Sequence, residues 1–175
     1  HGEVVFDEQC REKPIYLDQD TTILDGSILE NVLFGQTCTN ERLIQISEAI
    51  GLNEVVGRQP QNWGTEIAKG KNLSRGQEQR ICLARCLIKE ADTYLLDEAT
   101  SNIDVVDEDK IMKALIGNQG ILEEKTVLIS THKLSMIDYV DEVIYIKNGR
   151  VYQGTHMQLL QKEKSYAAFF EGKVT

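Results

Sequence analysis

The chain has 175 residues, of which 41% are hydrophobic, so it can bury one domain-sized core and is not expected to be disordered. Acidic residues outnumber basic ones by 28 to 19, which gives a formal net charge of -9. This balance argues against a surface that binds nucleic-acid backbones or anionic lipids, so we expect no nucleic-acid partner. The sequence has no apolar run of bilayer-spanning length and no secretion signal at its start, and we expect the chain to be soluble.

The first ninety residues combine short strand patterns with a helical stretch. Residues 4–6 and 14–17 are short, β-branched and aromatic, which predicts strands around a polar turn. Apolar residues then recur at helical spacing, with Asn40 as a predicted N-cap and Gly51 as a predicted stop. The predicted helices cover residues 27–34, 40–50, 53–59 and 77–89, and residues 64–74 are predicted to form a polar loop.

The second half alternates strand and helix patterns. Residues 93–96 and 126–130 are short apolar runs of the kind that form buried parallel strands, and the segment between them carries a helix at residues 105–116. Asn148-Gly149 is a strong hairpin signal between predicted strands at residues 142–147 and 150–155. Residues 157–170 are predicted to be helical. This alternation predicts an α/β layered core, in which the helical run of the first half forms an inserted lobe.

Two adjacent carboxylates, Asp97 and Glu98, follow the strand predicted at residues 93–96. Functional sites of open α/β sheets form where the strands end. One carboxylate could hold a hydrated magnesium ion and the other could activate a water molecule. The ordinary alternative is an acidic exit from a strand, which is common.

A second candidate site precedes the helix at residues 77–89. The segment 72–80, NLSRGQEQR, places Ser74 and Gly76 where free backbone N-H groups and the helix dipole attract phosphate. Ser74 could equally be a plain N-cap. Two further polar residues follow predicted strands, Gln19 and His132, and either of them alone would carry little information.

Taken together, these segments resemble the ATPases of the ATP-binding-cassette (ABC) family. Residues 72–80 resemble the signature motif, written L-S-G-G-Q in that family, and His132 resembles its switch histidine. Residues 16–19 followed by 28–35 resemble the glutamine loop of exporter-type members, and residues 101–104 resemble the loop that follows the acidic pair. Residues 116–122 and 159–170 look most like the first nucleotide-binding domain of C-subfamily, multidrug-resistance-associated transporters.

The resemblance implies a fold. The expected fold is a truncated P-loop NTPase (RecA-like) core of the ABC type with an inserted α-helical subdomain, so the class is α/β. All of residues 1–175 would form one such domain that lacks its N-terminal portion. Residues 1–35 and 90–175 would form the core, and residues 36–89 the helical signature subdomain.

The resemblance also implies ATP and Mg²⁺ as cofactors and assigns roles to residues of the chain's own site. Asp97 would hold the magnesium shell, and Glu98 would polarise the attacking water as general base. Gln19 would sense both the magnesium and the water. His132 would contact the γ-phosphate, so that positioning and charge stabilisation together serve phosphoryl transfer.

In this family two domains close face to face around ATP, which implies a second nucleotide-binding domain as partner in a homodimer or heterodimer. Ser74, Gly76 and Gln77 would contact the γ-phosphate held by that opposite domain, and Asp104 would lie at the dimer seam. The transmembrane domains of the same transporter are the other implied partners. The resemblance thus implies an ATPase at the cytoplasmic face of a membrane, as part of an integral membrane transporter.

The sequence departs from the family pattern, because no G-x-x-x-x-G-K-S/T phosphate loop occurs in it. The nearest string, residues 64–72, has its second glycine one position too late and Asn72 where Ser or Thr would ligate magnesium. We therefore expect the chain to begin after that loop and to be inactive alone. Losing the adjacent strand would leave an unpaired edge beside residues 126–130, where we expect unusual packing or swapping.

Single positions also differ from the pattern. Arg75 replaces one of the two glycines of the signature, which adds charge and bulk, and Asn102 replaces a small residue. Glu98 keeps the carboxylate that hydrolysis needs.

Two alternatives to a transporter ATPase remain open. One is an ABC ATPase that handles DNA or ribosomes, which the acidic balance disfavours. The other is a non-catalytic module that supplies only a signature face to a partner.

Overall fold

The computed structural model describes residues 13–20, 22–68 and 73–172 of the chain. It divides into two compact units, His1–Thr131 and His132–Thr175. The predicted strand at residues 4–6 lies outside the described residues. Within the described part, no helix is long and apolar enough to cross a membrane.

The first unit contains a parallel sheet surrounded by helices. Its elements in chain order are β1 (Ile15–Leu17), β2 (Gly26–Ser27), α1 (Ile28–Leu33), α2 (Asn40–Ala49), α3 (Leu52–Gly57), a 3-10 turn (Asn62–Gly64), β3 (Glu66–Ile67), α4 (Arg75–Ile88), β4 (Thr93–Asp97), α5 (Val105–Ile116) and β5 (Thr126–Ser130).

The main sheet has the order β1-β4-β5, and both pairings are parallel. Leu17 of β1 is level with Leu96 of β4, and Asp97 is level with Ser130 of β5. Because all three strands run the same way, the residues that follow β1 and β4 meet at one edge of the sheet. The predicted α/β architecture with parallel strands is confirmed.

One expectation about β5 is wrong, since β5 is parallel but not buried. Leu128 is 52% exposed, and the strand pairs with β4 on one side only among the described residues. An outer strand carries fewer neighbours on both faces, which explains the exposure. The unpaired edge expected at residues 126–130 is therefore present in the described part of the chain, while swapping there stays a prediction.

Helix α4 forms the centre of the helical part. It packs against α1, α2 and α3 and contacts β1. Ile81, Leu83 and Leu87 are completely buried in the core that α4 shares with those helices. Nine of its fourteen residues are buried, and α4 therefore joins the sheet to the helical lobe.

Several helix boundaries differ from prediction by a few residues. Thr39, not Asn40, is the N-cap of α2, because its hydroxyl accepts the N-H of Arg42. Gly51 ends α2 as predicted, with a positive φ of 65° that glycine adopts at little cost. The loop predicted at residues 64–74 contains β3, which pairs with the two residues of β2.

The second unit contains a 3-10 helix (Leu134–Tyr139), β6 (Val143–Lys147), β7 (Arg150–Gly154), α6 (His156–Lys162) and α7 (Lys164–Glu171). Asn148 and Gly149 both have positive φ, as a two-residue hairpin turn requires, so the predicted hairpin is confirmed. The helical prediction for residues 157–170 is confirmed except at Glu163, whose extended backbone divides the segment into α6 and α7.

Candidate functional site

The ends of β1 and β4 bring three of the predicted site residues together. Gln19, two residues beyond β1, donates a hydrogen bond from Nε2 to Oε2 of Glu98 at 3.0 Å. Asp97 is the last residue of β4. Seventy-nine positions separate Gln19 from Glu98 in the sequence. The two side chains meet because β1 and β4 are adjacent parallel strands whose ends are level.

Glu98 is held in an unusual backbone conformation. Its φ is 46°, in the left-handed region that costs a non-glycine residue about 1–3 kcal/mol. Its N-H donates to the carbonyl of Ser130 at 2.9 Å. Surrounding contacts must hold such a residue in place, and strain of this kind is common at functional sites.

Tyr16 contacts the other carboxylate of the pair. Its hydroxyl donates to Oδ2 of Asp97 at 3.2 Å. Desolvation raises the pKa of Tyr16, and the negative charges of Asp18 and Asp97 raise it further. The hydroxyl therefore stays protonated at neutral pH and remains a donor to Asp97.

The four remaining predicted residues of the first unit gather around the N-terminus of α4. Ser74 is its N-cap, and the Ser74 and Gln77 side chains form a reciprocal capping box. The simple N-cap interpretation of Ser74 is thus confirmed as its local role. Asp104 caps α5 in the same way by accepting the N-H of Asp107.

A cavity of about 590 Å³ lies beside this helix end. It is formed by α3, the first turn of α4, the segment that leads into α5, and α5 itself. Ser74, Gly76, Gln77 and Asp104 all line it, and so does Arg75. The residues predicted to serve a partner's phosphate therefore share one concave surface.

Arg80 braces that surface. Its guanidinium donates to the carbonyl of Ile50 at the end of α2 and forms an ion pair with Asp107 on α5 at 2.5 Å. Burial acts to raise the pKa of Asp107, but the hydrogen bond from Lys110 and the charge and hydrogen bond of Arg80 outweigh it and hold that pKa below its ordinary value.

Position 76 requires glycine because the backbone of Asn102 approaches it closely. A Cβ added there would lie 2.7 Å from the backbone carbonyl oxygen of Asn102, closer than side chains tolerate. Gly76→Ala should therefore lower the free energy of unfolding by about 1 kcal/mol or more, because overpacking costs about 1–3 kcal/mol and exceeds the gain in helix propensity. Urea denaturation measures the change.

Gly57→Ala is the matched control for Gly76→Ala. It also lies in a helix, and an added Cβ would meet no described atom within 4 Å. We expect it to leave stability unchanged or slightly raised. Equal stability loss in the two variants would contradict the steric requirement at Gly76.

Comparison with known proteins places this arrangement in a family. The sequence model described as ABC transporter matches residues 2–101, more than half of the chain.

The chain belongs to the ABC transporter family.

Two named relatives and one solved structure illustrate where in that family its similarity lies. It is 38% identical over 158 residues to the mesentericin-Y105 transport/processing ATP-binding protein of Leuconostoc mesenteroides, covering 89% of this chain and 21% of that protein. It is 35% identical to the ABC transporter ATM1 of Toxoplasma gondii, over 89% of this chain and 14% of that protein. The structure of a bacterial Atm1-family ABC exporter with ATP bound matches 91% of this chain and 28% of its own, with a TM-score of 0.81 at 26% identity.

The chain therefore spans between about a seventh and about a quarter of the length of these transporters. Its match to an exporter structure confirms the ABC ATPase fold inferred from the motifs.

The side chains at the ends of β1 and β4 are of the types that bind Mg²⁺ together with a nucleotide. Mg²⁺ is usually held by one or two carboxylates together with phosphate oxygens and water, instead of a cage of protein ligands. Asp97 and Glu98 supply adjacent carboxylates, and Gln19 supplies an amide within reach of one of them. The described residues contain no group of three or more His, Cys, Asp or Glu that could hold a metal ion.

His132, the predicted switch histidine, is the first residue of the second unit. It lies two residues beyond the end of β5 in the sequence. Its role is therefore kept as part of the proposal below.

Sequence reasoning missed two polar residues of α4 that contact the site segments of this ABC chain. Gln79 bonds to the loop that begins at Glu98, and Arg85 bonds to the segment that follows Gln19. Arg85 donates to the carbonyl of Thr22 at 2.9 Å and to that of Asn31 on α1 at 2.8 Å. The sequence offered no local signal for either residue, because α4 also carries Arg75, Gln77, Glu78 and Arg80.

Proposed function

We propose that this chain is the nucleotide-binding domain of an ABC exporter, in which ATP binding and hydrolysis between two such domains drive transport across a membrane. The observation that carries the proposal is the Gln19–Glu98 hydrogen bond of 3.0 Å at the carboxyl ends of two parallel strands. The names of the relatives, a mesentericin-Y105 transport/processing protein and an Atm1-family exporter, support transport over a DNA or ribosome function.

Glu98 is the proposed general base. A carboxylate at a strand end can accept the proton of an attacking water, and phosphoryl transfer otherwise demands positioning and charge stabilisation. Gln19 uses one N-H on Glu98 and keeps its carbonyl oxygen and second N-H for the water and the magnesium shell. Asp97 is the proposed magnesium residue, oriented by the Tyr16 hydroxyl. Bound Mg²⁺ would neutralise charge on the phosphates.

The cavity at the start of α4 is the proposed surface for a partner domain's nucleotide. The N-terminus of a helix attracts phosphate through its dipole and its N-H groups, and Ser74, Gly76 and Gln77 stand there. The N-H groups of Ser74 and Gln77 are engaged in the capping box in this structure. Asp104 would lie at the seam between domains. His132 would contact the γ-phosphate. We propose as partners a second nucleotide-binding domain and the transmembrane domains of the same transporter, at the cytoplasmic face of the membrane.

Finer features of the proposal rest on the motif resemblance. We propose membership of the C-subfamily, with residues 1–35 and 90–175 as the core and residues 36–89 as the helical signature subdomain. We also propose that the 175-residue chain alone does not hydrolyse ATP, because its sequence contains no G-x-x-x-x-G-K-S/T phosphate loop.

A second candidate is a non-catalytic module that only supplies a signature face. The absence of a G-x-x-x-x-G-K-S/T motif from the 175 residues favours it.

Calorimetry of magnesium-ATP binding separates the two candidates. One sample is the 175-residue chain, and the other is a longer product of the same gene that begins upstream of residue 1, called the extended protein below. We expect the extended protein to bind with a Kd below about 1 mM and the chain to show no saturable binding. Tight binding by the chain itself would contradict the proposal that the 175 residues need a phosphate loop that they do not contain. Failure of the extended protein to bind would favour the non-catalytic module.

A further inference from the structure

Gln79 lies in the second turn of α4 and is 2% exposed. Both polar atoms of its side-chain amide form hydrogen bonds with the loop that follows β4. Its Nε2 donates to the backbone carbonyl of Glu98 at 2.8 Å and to the hydroxyl of Ser101 at 3.3 Å. Its Oε1 accepts the N-H of Asn102 at 2.8 Å. Both ends of the amide therefore hold the segment that begins with the proposed base.

The bond to the Glu98 carbonyl matters because the backbone of Glu98 is strained. Its φ of 46° persists only when neighbouring contacts over-determine the conformation. The N-H of Glu98 is held by Ser130 of β5, and its carbonyl by Gln79 and by the N-H of Ser101. These contacts orient the Cα of Glu98 and hence the carboxylate that Gln19 contacts.

A second contact joins the same two segments one turn earlier. Gly76 approaches the carbonyl of Asn102 so closely that no side chain fits between them. The first two turns of α4 thus touch the loop at residues 98–102 through Gly76 and through Gln79. The same two turns present Ser74 and Gln77 to the cavity proposed for a partner's nucleotide.

We propose that Gln79 is a positioning residue that couples the signature end of α4 to the catalytic carboxylate of the same chain. The inference rests on the proposed function for the role of Glu98, while the linkage itself rests on the three hydrogen bonds. Through it, a displacement of the signature surface by a partner domain changes the orientation of Glu98, so that hydrolysis responds to closure of the domain pair.

Three variants distinguish a positioning role of Gln79 from a general contribution to folding stability. Gln79→Met keeps the volume and removes all three hydrogen bonds. Gln79→Glu keeps an acceptor for the Asn102 N-H but restores the donor to Glu98 only when its carboxyl is protonated. Tyr94→Phe is the control, because it removes a buried hydroxyl that bonds to Lys89 and Ala91 near the start of β4, away from the end that carries Asp97.

The first measurement is amide hydrogen exchange in the 175-residue chain. Gln79→Met should raise the exchange rate of the Asn102 amide at least about tenfold, since the Gln79 Oε1 that accepts its N-H is lost. Gln79→Glu should leave that rate close to wild type, and Tyr94→Phe should not raise it selectively. An Asn102 amide that stays protected in Gln79→Met overturns the linkage.

The second measurement is the kinetics of ATP hydrolysis by the extended protein. Gln79→Met should lower kcat at least about tenfold with KM within twofold, and Tyr94→Phe should leave both near wild type. A kcat for Gln79→Met equal to that of Tyr94→Phe overturns the positioning role. Failure of the wild-type extended protein to hydrolyse ATP would instead count against the proposed function, and hydrogen exchange would still decide the linkage.

Discussion

Replacing Glu98 by glutamine should lower the rate of ATP hydrolysis by the extended protein by about 10²- to 10⁴-fold, the usual contribution of a positioned general base. Glutamine has the shape of glutamate and can still meet the Gln19 amide through its carbonyl oxygen, so the geometry of the strand ends is kept. It cannot accept a proton from water at neutral pH. The loss should therefore fall on kcat, while ATP affinity measured by calorimetry stays within a few-fold of wild type.

Glu123→Gln is the matched control for that variant. It removes the same charge from an exposed position in the turn before β5 and should leave hydrolysis unchanged. Hydrolysis by Glu98→Gln within threefold of wild type would contradict the assignment of Glu98 as the base. Loss of ATP binding in Glu98→Gln would show that the carboxylate serves binding instead of the chemical step.

Replacing Arg80 by methionine should cost about 2 kcal/mol of folding free energy at pH 7. The Arg80 side chain is 11% exposed and joins α4 to Asp107 and to the Ile50 carbonyl. Removing one partner of a buried ion pair costs about 3–5 kcal/mol, and the 38% exposure of Asp107 reduces that cost through solvent screening. Urea denaturation measures the difference.

The cost of Arg80→Met should also depend on pH. The pKa of Asp107 is lowered in the folded chain, so its ion pair stabilises the fold fully above the unfolded pKa of about 3.9 and loses that effect as pH falls through the folded pKa. The stability difference between wild type and Arg80→Met should therefore shrink between pH 5 and pH 3, leaving the part due to the Ile50 bond.

Arg58→Met is the control for the ion pair. Arg58 and Glu54 are more than 70% exposed, so their pair should contribute less than about 0.5 kcal/mol. A difference of the same size for Arg58→Met and Arg80→Met would contradict the bracing role of Arg80.

Most of the fold could be predicted from local patterns. The strands β1, β4 and β5, the helix α5 and the hairpin at Asn148-Gly149 lie within a few residues of their predicted positions. The periodicity and the turn residues of these elements are local properties of the sequence, so the elements can be predicted without knowing the tertiary contacts. The misplaced features were local as well: the Thr39 cap, the short strand β3 and the division at Glu163 all depend on one or two hydrogen bonds that carry no periodic signal.

The candidate site also has a part that the sequence predicts and a part that it does not. The order of the motifs identified Gln19, Asp97 and Glu98 as candidates, but the bond between Gln19 and Glu98 exists because β1 and β4 are parallel neighbours in register. Nothing in the local pattern distinguishes Gln79 or Arg85 from a polar residue on the solvent face of a helix. Both are turned inward because α4 packs against α1, α2, α3 and β1. Their polar groups therefore bond to adjacent segments, Gln79 to the loop after β4 and Arg85 to Thr22 and to Asn31 of α1.

The sequence by itself therefore determined the family, the α/β class and the residue types of the site, since motif order and hydrophobic periodicity are written along the chain. The tertiary structure alone decided which of those residues touch: it paired Gln19 with Glu98, brought Gly76 against Asn102, and gave Gln79 its three partners. The physical reason is that a buried polar group must find its hydrogen-bond partners across the fold, and those partners depend on packing between segments that lie 20 to 80 positions apart.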